Sequence, residues 1–233
     1  SKSDIFKSLL NMKTKDKILK KLSEKASTKQ VVYRTSKEVF KNLKKTLKSF
    51  ADKIDKKMCN IDEHVKIIYN DKGEFEAELR FSGDILVFHL HSNTFQFDKK
   101  HQIWNSSYTK EDEYRSYCGV INIYNFLSDS FKYNRENDLG FLIGRIFINK
   151  EKHFFVEGKG KLSFLFNNFP NSIINEDELK SIIEEAIIFA LDFELITPPY
   201  KDVEVVSLNQ IKEMSQNMKL RTSKPLGFRF SEE

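Results

Sequence analysis

Between residues 64 and 97 apolar and polar side chains alternate. Val65, Ile67 and Tyr69 form one set, Phe75, Ala77, Leu79 and Phe81 a second, and Leu86, Phe88 and Leu90 a third. A spacing of two is the period of a strand with one face buried. Asn70-Asp71-Lys72-Gly73 separates the first two sets and Ser82-Gly83 the last two. Glycine at each reversal tolerates the positive φ that tight hairpin turns use. A two-residue turn at Ser82-Gly83 sets Phe81 opposite Asp84, Leu79 opposite Leu86, Ala77 opposite Phe88 and Phe75 opposite Leu90. A three-residue loop at 71–73 sets Tyr69 opposite Phe75, Ile67 opposite Ala77 and Val65 opposite Leu79. Both registers gather the apolar residues on one side, and a slip by one residue would send them to the other. The remaining side then pairs Lys66 with Glu78, His64 with Arg80, Glu76 with His89 and Glu74 with His91, with Ile68, Ile85 and Val87 among them. Phe95 and Phe97 are expected to extend the apolar side as a fourth strand after Ser92-Asn93.

Upstream the apolar spacing lengthens to three and four, the period of a helix. Residues 4–11 carry Ile5, Phe6, Leu9 and Leu10 as a short amphipathic piece. Thr14 is the cap of a second helix with Ile18, Leu19, Leu22 and Ala26 on one side, and Ser27-Thr28 ends it. Ser36 caps the longest helix, residues 37–58, whose stripe is Phe40, Leu43, Leu47, Phe50 and Ile54. Lys41, Lys44, Lys45, Lys48, Lys53, Lys56 and Lys57 fill the rest of its surface. The stripe needs an apolar partner, and a face of the sheet is the nearest one.

Downstream, residues 98–116 are polar and poorly patterned around Trp104 and Tyr108, either a functional loop or structure without a visible period. The strand 117–127 is apolar on both faces apart from Asn122 and Asn125, so it should be covered on both sides. Its two amides then need buried partners, lining a pocket or bracing a loop. Residues 141–148 meet 153–156 across the turn Asn149-Lys150-Glu151-Lys152, and Gly158-Lys159-Gly160 leads to a further strand at 162–166. Asn175 with Glu178 opens a helix over 176–195, apolar nearly all round from Ile187 to Phe193 and therefore expected inside the fold. Thr197-Pro198-Pro199 stops it. Residues 203–206 read as a short strand, and Ser207 with Gln210 caps a last helix bearing Leu208, Ile211, Met214 and Met218. The ending, 219–233, is polar apart from Leu226, Phe228 and Phe230.

These elements predict an α+β fold: N-terminal helices, then a broad, curved antiparallel sheet of seven or eight strands packed by a long helix from the C-terminal half. The short turns require antiparallel order, since parallel strands need long crossovers. The organisation expected is a basic helical segment, 1–60, packed on a body, 61–233, with helices near 176–196 and 207–219.

Charge sharpens that division. The net charge of +5 hides an asymmetry: residues 1–60 hold 18 Lys and Arg against 6 Asp and Glu, and the rest 21 against 28. A basic front end on an acidic body suits an acidic protein or nucleic acid as partner, or contacts within the chain itself. With 233 residues, 39% hydrophobic and 31% charged, and 21 Phe, the chain can fill a sizeable core. Its longest apolar run, 186–191, is far short of the roughly 20 residues of a membrane span. Cys59 and Cys118 form no C-x-x-C, fit a reducing compartment and are expected in the core, and no secretory pattern opens the chain. A cytoplasmic location follows as an expectation.

Candidate chemistry is sparse. His89 and His91 share one strand face, and the register sets Glu76 and Glu74 opposite them, a two-His-plus-carboxylate set for a divalent metal or acid/base work. The H-x-H pair resembles the cupin motif, but Asn93, Thr94, Phe95 and Gln96 stand where its glutamate would follow, so no family is assigned. The simpler account is cross-strand pairing on a half-solvated face, about 0.2–1 kcal/mol per pair. Gly158-Lys159-Gly160-Lys161 lacks the spacing and the Ser/Thr of a phosphate-binding loop, and no helix is expected after it. His101 and His153 stand alone and read as structural. No Ser/His/Asp or Cys/His arrangement can be placed, and no cofactor is implied. The function expected is therefore a non-enzymatic binding module, its contact surface on the basic helices or on the sheet cup. Two alternatives remain, a metal- or small-molecule-dependent enzyme around His89 and His91 and a nucleic-acid-associated protein working through Lys41 to Lys57.

Overall fold

The computed structural model describes residues 13–194, 197 and 199–217. The pieces at 4–11 and 219–233, and Met218, lie outside them. A seven-stranded antiparallel sheet runs in the order β1-β2-β3-β5-β6-β7, with β4 pairing β5 beyond the end of β3. The strands are β1 Ile67–Asp71, β2 Glu76–Phe81, β3 Asp84–Leu90, β4 Phe95–Gln96, β5 Tyr117–Leu127, β6 Phe141–Asn149 and β7 Phe154–Gly158.

The Ser82-Gly83 hairpin has the register its turn dictates. Phe81 faces Asp84, Leu79 faces Leu86, Ala77 faces Phe88 and Glu76 faces His89, and the Leu90 amide donates to the Phe75 carbonyl at 2.8 Å. The first hairpin differs. Ile67 faces Phe81, Tyr69 faces Leu79 and Asp71 faces Ala77, a shift of four residues. Asp71 belongs to the strand and not to the loop, because its Oδ1 accepts the Gly73 amide at 2.9 Å and so widens the turn. Four is even, so Ile67 and Tyr69 keep their face while their partners change. Arg80 consequently faces Ile68 and Glu78 faces Asn70, in place of His64 and Lys66.

One face of the sheet is covered by helices. Ile67, Ala77, Leu79, Phe81, Leu86, Phe88, Leu90, Ile121 and Ile123 bury against Val39, Phe40, Leu43, Leu47 and Ala51 of the long helix. The Glu176–Leu191 helix adds Leu179, Ile182, Ile183, Ala186, Ile187 and Ala190 to the same cluster. The long helix and the Glu176–Leu191 helix thus share one face of the sheet. A second cluster lies on the other side, where Cys118, Val120, Phe147 and Phe155 meet Ile103, Phe169, Phe97, Trp104 and Tyr108. Phe97 therefore belongs to the far face, not to the helix-covered one.

The stretch 98–116 is this second cover, built from turns too short to show a period. Each is started by a side chain: His101 Nδ1 accepts the Ile103 amide at 3.2 Å, Ser106 Oγ that of Thr109 at 3.2 Å, and Asp112 Oδ1 that of Tyr114 at 2.9 Å. Buried Asn149 ties the cover to the β6–β7 turn, its Nδ2 donating to Tyr108 Oη at 2.8 Å and its Oδ1 accepting from Glu151 and His153. His153 is structural, stacked 4.4 Å from the Tyr108 ring.

The N-terminal helices are one. Residues 13–59 form a continuous helix, about 70 Å long at 1.5 Å per residue, with a π turn at Leu22–Ala26. Ser27-Thr28 does not break it and Ser36 does not cap it. Thr28 Oγ1 donates to the Glu24 carbonyl at 2.7 Å and Ser36 Oγ to that of Val32 at 2.8 Å, so these hydroxyls are satisfied inside the helix. Lys161–Leu165 is likewise a short helix where a strand was expected, because Gly160 at φ 54 turns the chain out of β7. Residues 200–203 are helical as well, with Pro199 in front and its carbonyl accepting the Asp202 amide at 2.9 Å.

Both downstream caps form. Ser207 and Gln210 exchange hydrogen bonds of 2.6 and 3.0 Å at the head of the Leu208–Asn217 helix. Asn175 Oδ1 accepts the Glu178 amide at 2.9 Å. The helix it starts ends at Leu191, with Ile188 47% and Leu191 51% exposed, so its final turn keeps only one face, Ile187 and Ala190, inside the fold. Asn175→Ala is expected to cost about 1 kcal/mol of stability, read as a lower urea midpoint. An unchanged midpoint would show that the cap contributes nothing.

Candidate functional site

Helical spacing decides which lysines are available to a partner. Arg34, Lys37, Lys41, Lys45 and Lys48 are three or four residues apart and so lie along one strip of the long helix. Arg34, Lys41, Lys45 and Lys48 are exposed. Lys37 differs, paired with Glu74 of the β1–β2 loop. Lys44 sits nearer the sheet, half-buried, its Nζ 2.7 Å from Asp71 Oδ1 and also donating to the Gly73 carbonyl. The Lys44 hydrogen bond, with that of the Gly73 amide, holds the Asp71 carboxyl below its usual pKa. Lys44 is thus a brace of the first hairpin. Lys53, Lys56 and Lys57 are exposed toward the helix end, where cations oppose the negative pole of its dipole. Among the described residues, no ion pair ties Lys41, Lys45, Lys48, Lys53, Lys56 or Lys57 to an acid.

The His/Glu row comes apart. Glu76 and His89 are opposite each other on β2 and β3, both half-buried. Glu74 lies outside the strand and is held by Lys37. His91 lies past the end of β3, its Nδ1 accepting the Asn93 amide at 3.0 Å and its ring edge-on to Phe95 at 4.7 Å. Among the described residues, no three His, Cys, Asp or Glu side chains gather as metal ligands would. Alternation places side chains on a face, but it does not say where a strand ends, and both outer members of the row fall beyond an end.

The cysteines separate too. Cys118 is fully buried and burial pushes its thiol up, away from reactivity. Cys59, expected in the core, is exposed at the end of the long helix, where Lys66 Nζ donates to its sulfur at 3.2 Å. Gly158-Lys159-Gly160-Lys161 is a glycine turn, although a five-residue helix does follow it. Asn125 is buried and Asn122 half-buried opposite Arg145.

One cavity was not legible in the sequence. Between His91 and Phe95 the chain leaves the line of β3 and rejoins β5 through β4, so the partner of Leu90 is Ile121 while that of Phe95 is Cys118. The detour opens a cleft of about 520 Å³ against the long helix. Lys29, Gln30 and Tyr33 form its helix wall and residues 92–95 the other. Thr94 Oγ1 donates to the Lys29 carbonyl at 3.3 Å, joining the two walls. The only advance sign of the cleft was Ser92-Asn93, a turn signal that does not reveal what lies opposite. Among the described residues, no helix is long and apolar enough to cross a membrane. Comparison with protein-family models, with curated proteins and with solved structures found no match to this chain.

Proposed function

We propose that the protein is a non-enzymatic binding module that holds a polyanion along the exposed side of its long helix. The observation that supports this is the split among the lysines. Lys44 and Lys37 are bound to the protein's own acids, whereas Lys41, Lys45 and Lys48 line up exposed and, among the described residues, with no acid paired to them. The helix behind them is held by the core through Phe40, Leu43 and Leu47, each at most 1% exposed, so the row is rigid. From Arg34 to Lys48 it spans about 21 Å at 1.5 Å per residue, enough to follow several phosphates.

Such binding is driven by counterion release and is therefore salt-dependent. The protein is expected to be retained on heparin at low ionic strength and released by added salt. The triple substitution Lys41→Gln, Lys45→Gln, Lys48→Gln should lower the slope of log affinity against log salt by about 3, close to one per lost phosphate contact. All three positions are exposed, so the urea midpoint should hardly move. A wild-type protein that is not retained at low salt would refute the reading.

A further inference from the structure

The cleft at the head of this lysine row differs in character from the row itself. It holds two rings, Tyr33 and Phe95, and Phe95 is 41% exposed. Among the described residues, Lys29 is the one charged group that lines it, and none that lines it is acidic. Gln30, Ser92, Asn93 and Thr94 bring amides and hydroxyls that donate and accept hydrogen bonds. Lys29 Nζ stands 5.7 Å from the centre of the Tyr117 ring. Gln30 and Arg34 are four residues apart, so the helix wall of the cleft continues along the same strip to Arg34 and, past the Lys37–Glu74 pair, to Lys41.

A ring available for stacking, a cation close by and polar groups around the rim match one nucleotide unit of a single strand: base, phosphate and base edge. Its volume of about 520 Å³ lies within the usual range for a small-ligand site. A duplex does not fit this description, because its base faces are already stacked on one another and none is left for a protein ring to stack on. A purely acidic peptide would use Lys29 but leave both rings without a role.

We infer that the cleft takes an unstacked nucleotide of a single-stranded nucleic acid, with the base against Phe95 and Tyr33, the phosphate at Lys29 and the following phosphates along Arg34, Lys41 and Lys45. This assignment rests on the polyanion reading of the lysine row and adds to it the class of polyanion. Single-stranded DNA and RNA share the chemistry invoked.

The test is fluorescence anisotropy of the full chain with labelled dT20, rU20 and a 20-base-pair DNA duplex, with unlabelled polyglutamate as competitor. Either single strand should bind more tightly than the duplex, and the tighter of the two identifies DNA or RNA. Phe95→Ala should weaken single-strand binding about tenfold or more, the usual loss for a stacking platform, and leave duplex binding and heparin retention unchanged. Lys29→Gln should weaken the single strand in the same direction. Because Phe95 is on the surface, an unchanged thermal transition separates this effect from misfolding, and Tyr33→Phe, which keeps the ring, should retain binding. Equal affinity for duplex and single strand, an inert Phe95→Ala, or polyglutamate competing as well as an oligonucleotide would each overturn the cleft assignment while heparin retention persisted. Failure of every polyanion to bind would overturn the lysine-row reading as well.

Discussion

Phe88→Ala is expected to remove about 3–5 kcal/mol of folding stability, the cost of emptying a core site built around an aromatic ring. Phe88 is fully buried at the middle of the sheet, between Ala77 on β2 and Ile123 on β5. The small side chain of Ala77 leaves room for the ring, and the same cluster contains Phe40, Leu43 and Leu47 from the long helix. No neighbour on the strands can fill the space without leaving its own position. Since domains of this kind are stable by only about 5–15 kcal/mol, the loss is a large share of the total. Urea unfolding should show a lower midpoint at constant slope. Phe164→Ala is the control: Phe164 is 76% exposed on the Lys161–Leu165 helix, and its removal should matter by about 0.5 kcal/mol or less. Equal effects at the two sites would mean that the alternation between 75 and 90 does not define the core.

The opposite kind of error is expected at Gly119. An added methyl there would stand inside van der Waals contact of Ser36 Oγ and 2.8 Å from Ser36 Cβ. Ser36 has nowhere to go, being buried with its hydroxyl bonded to the Val32 carbonyl at 2.8 Å. The long helix therefore crosses β5 on a glycine because there is no room for a side chain, not because the backbone needs an unusual φ. Gly119→Ala is expected to cost about 1–3 kcal/mol by forcing helix and strand apart. Ser36→Gly removes both clashing atoms and by itself costs about 0.5 kcal/mol of helix propensity. The double variant should be more stable than the sum of the two losses implies, by about 0.5 kcal/mol or more. Strict additivity would place the helix crossing elsewhere.

Much of the sheet was legible for local reasons. The Ser82-Gly83 turn is two residues long, so it dictates its own register, and every pair it implies is present. The first hairpin was legible in its faces and not in its pairs. Its loop geometry depends on Lys44, 29 residues away from the Gly73 carbonyl that it meets. Ser36 misled for a related reason: the same hydroxyl can cap a helix or bond back one turn within it, and burial against Gly119 selects the second. Residues 98–116 were opaque because turns of four or five residues are too short to show a period.

The candidate site divides along the same line. The seven lysines from Lys41 to Lys57 could be read off directly, but not that Lys44 is consumed by Asp71 and the Gly73 carbonyl while no acid among the described residues pairs with Lys41, Lys45 or Lys48. The cleft depends on Lys29 and Thr94, which are 65 positions apart in the chain and touch only after folding. On its own the sequence determined which side chains turn inward, because a period of two or of three to four is a property of the local backbone and apolar burial has no preferred partner. Tertiary structure decided which elements meet across the core and which charges are neutralised there, because hydrogen bonds and ion pairs are directional, reach only a few ångströms, and join residues that the chain order keeps apart.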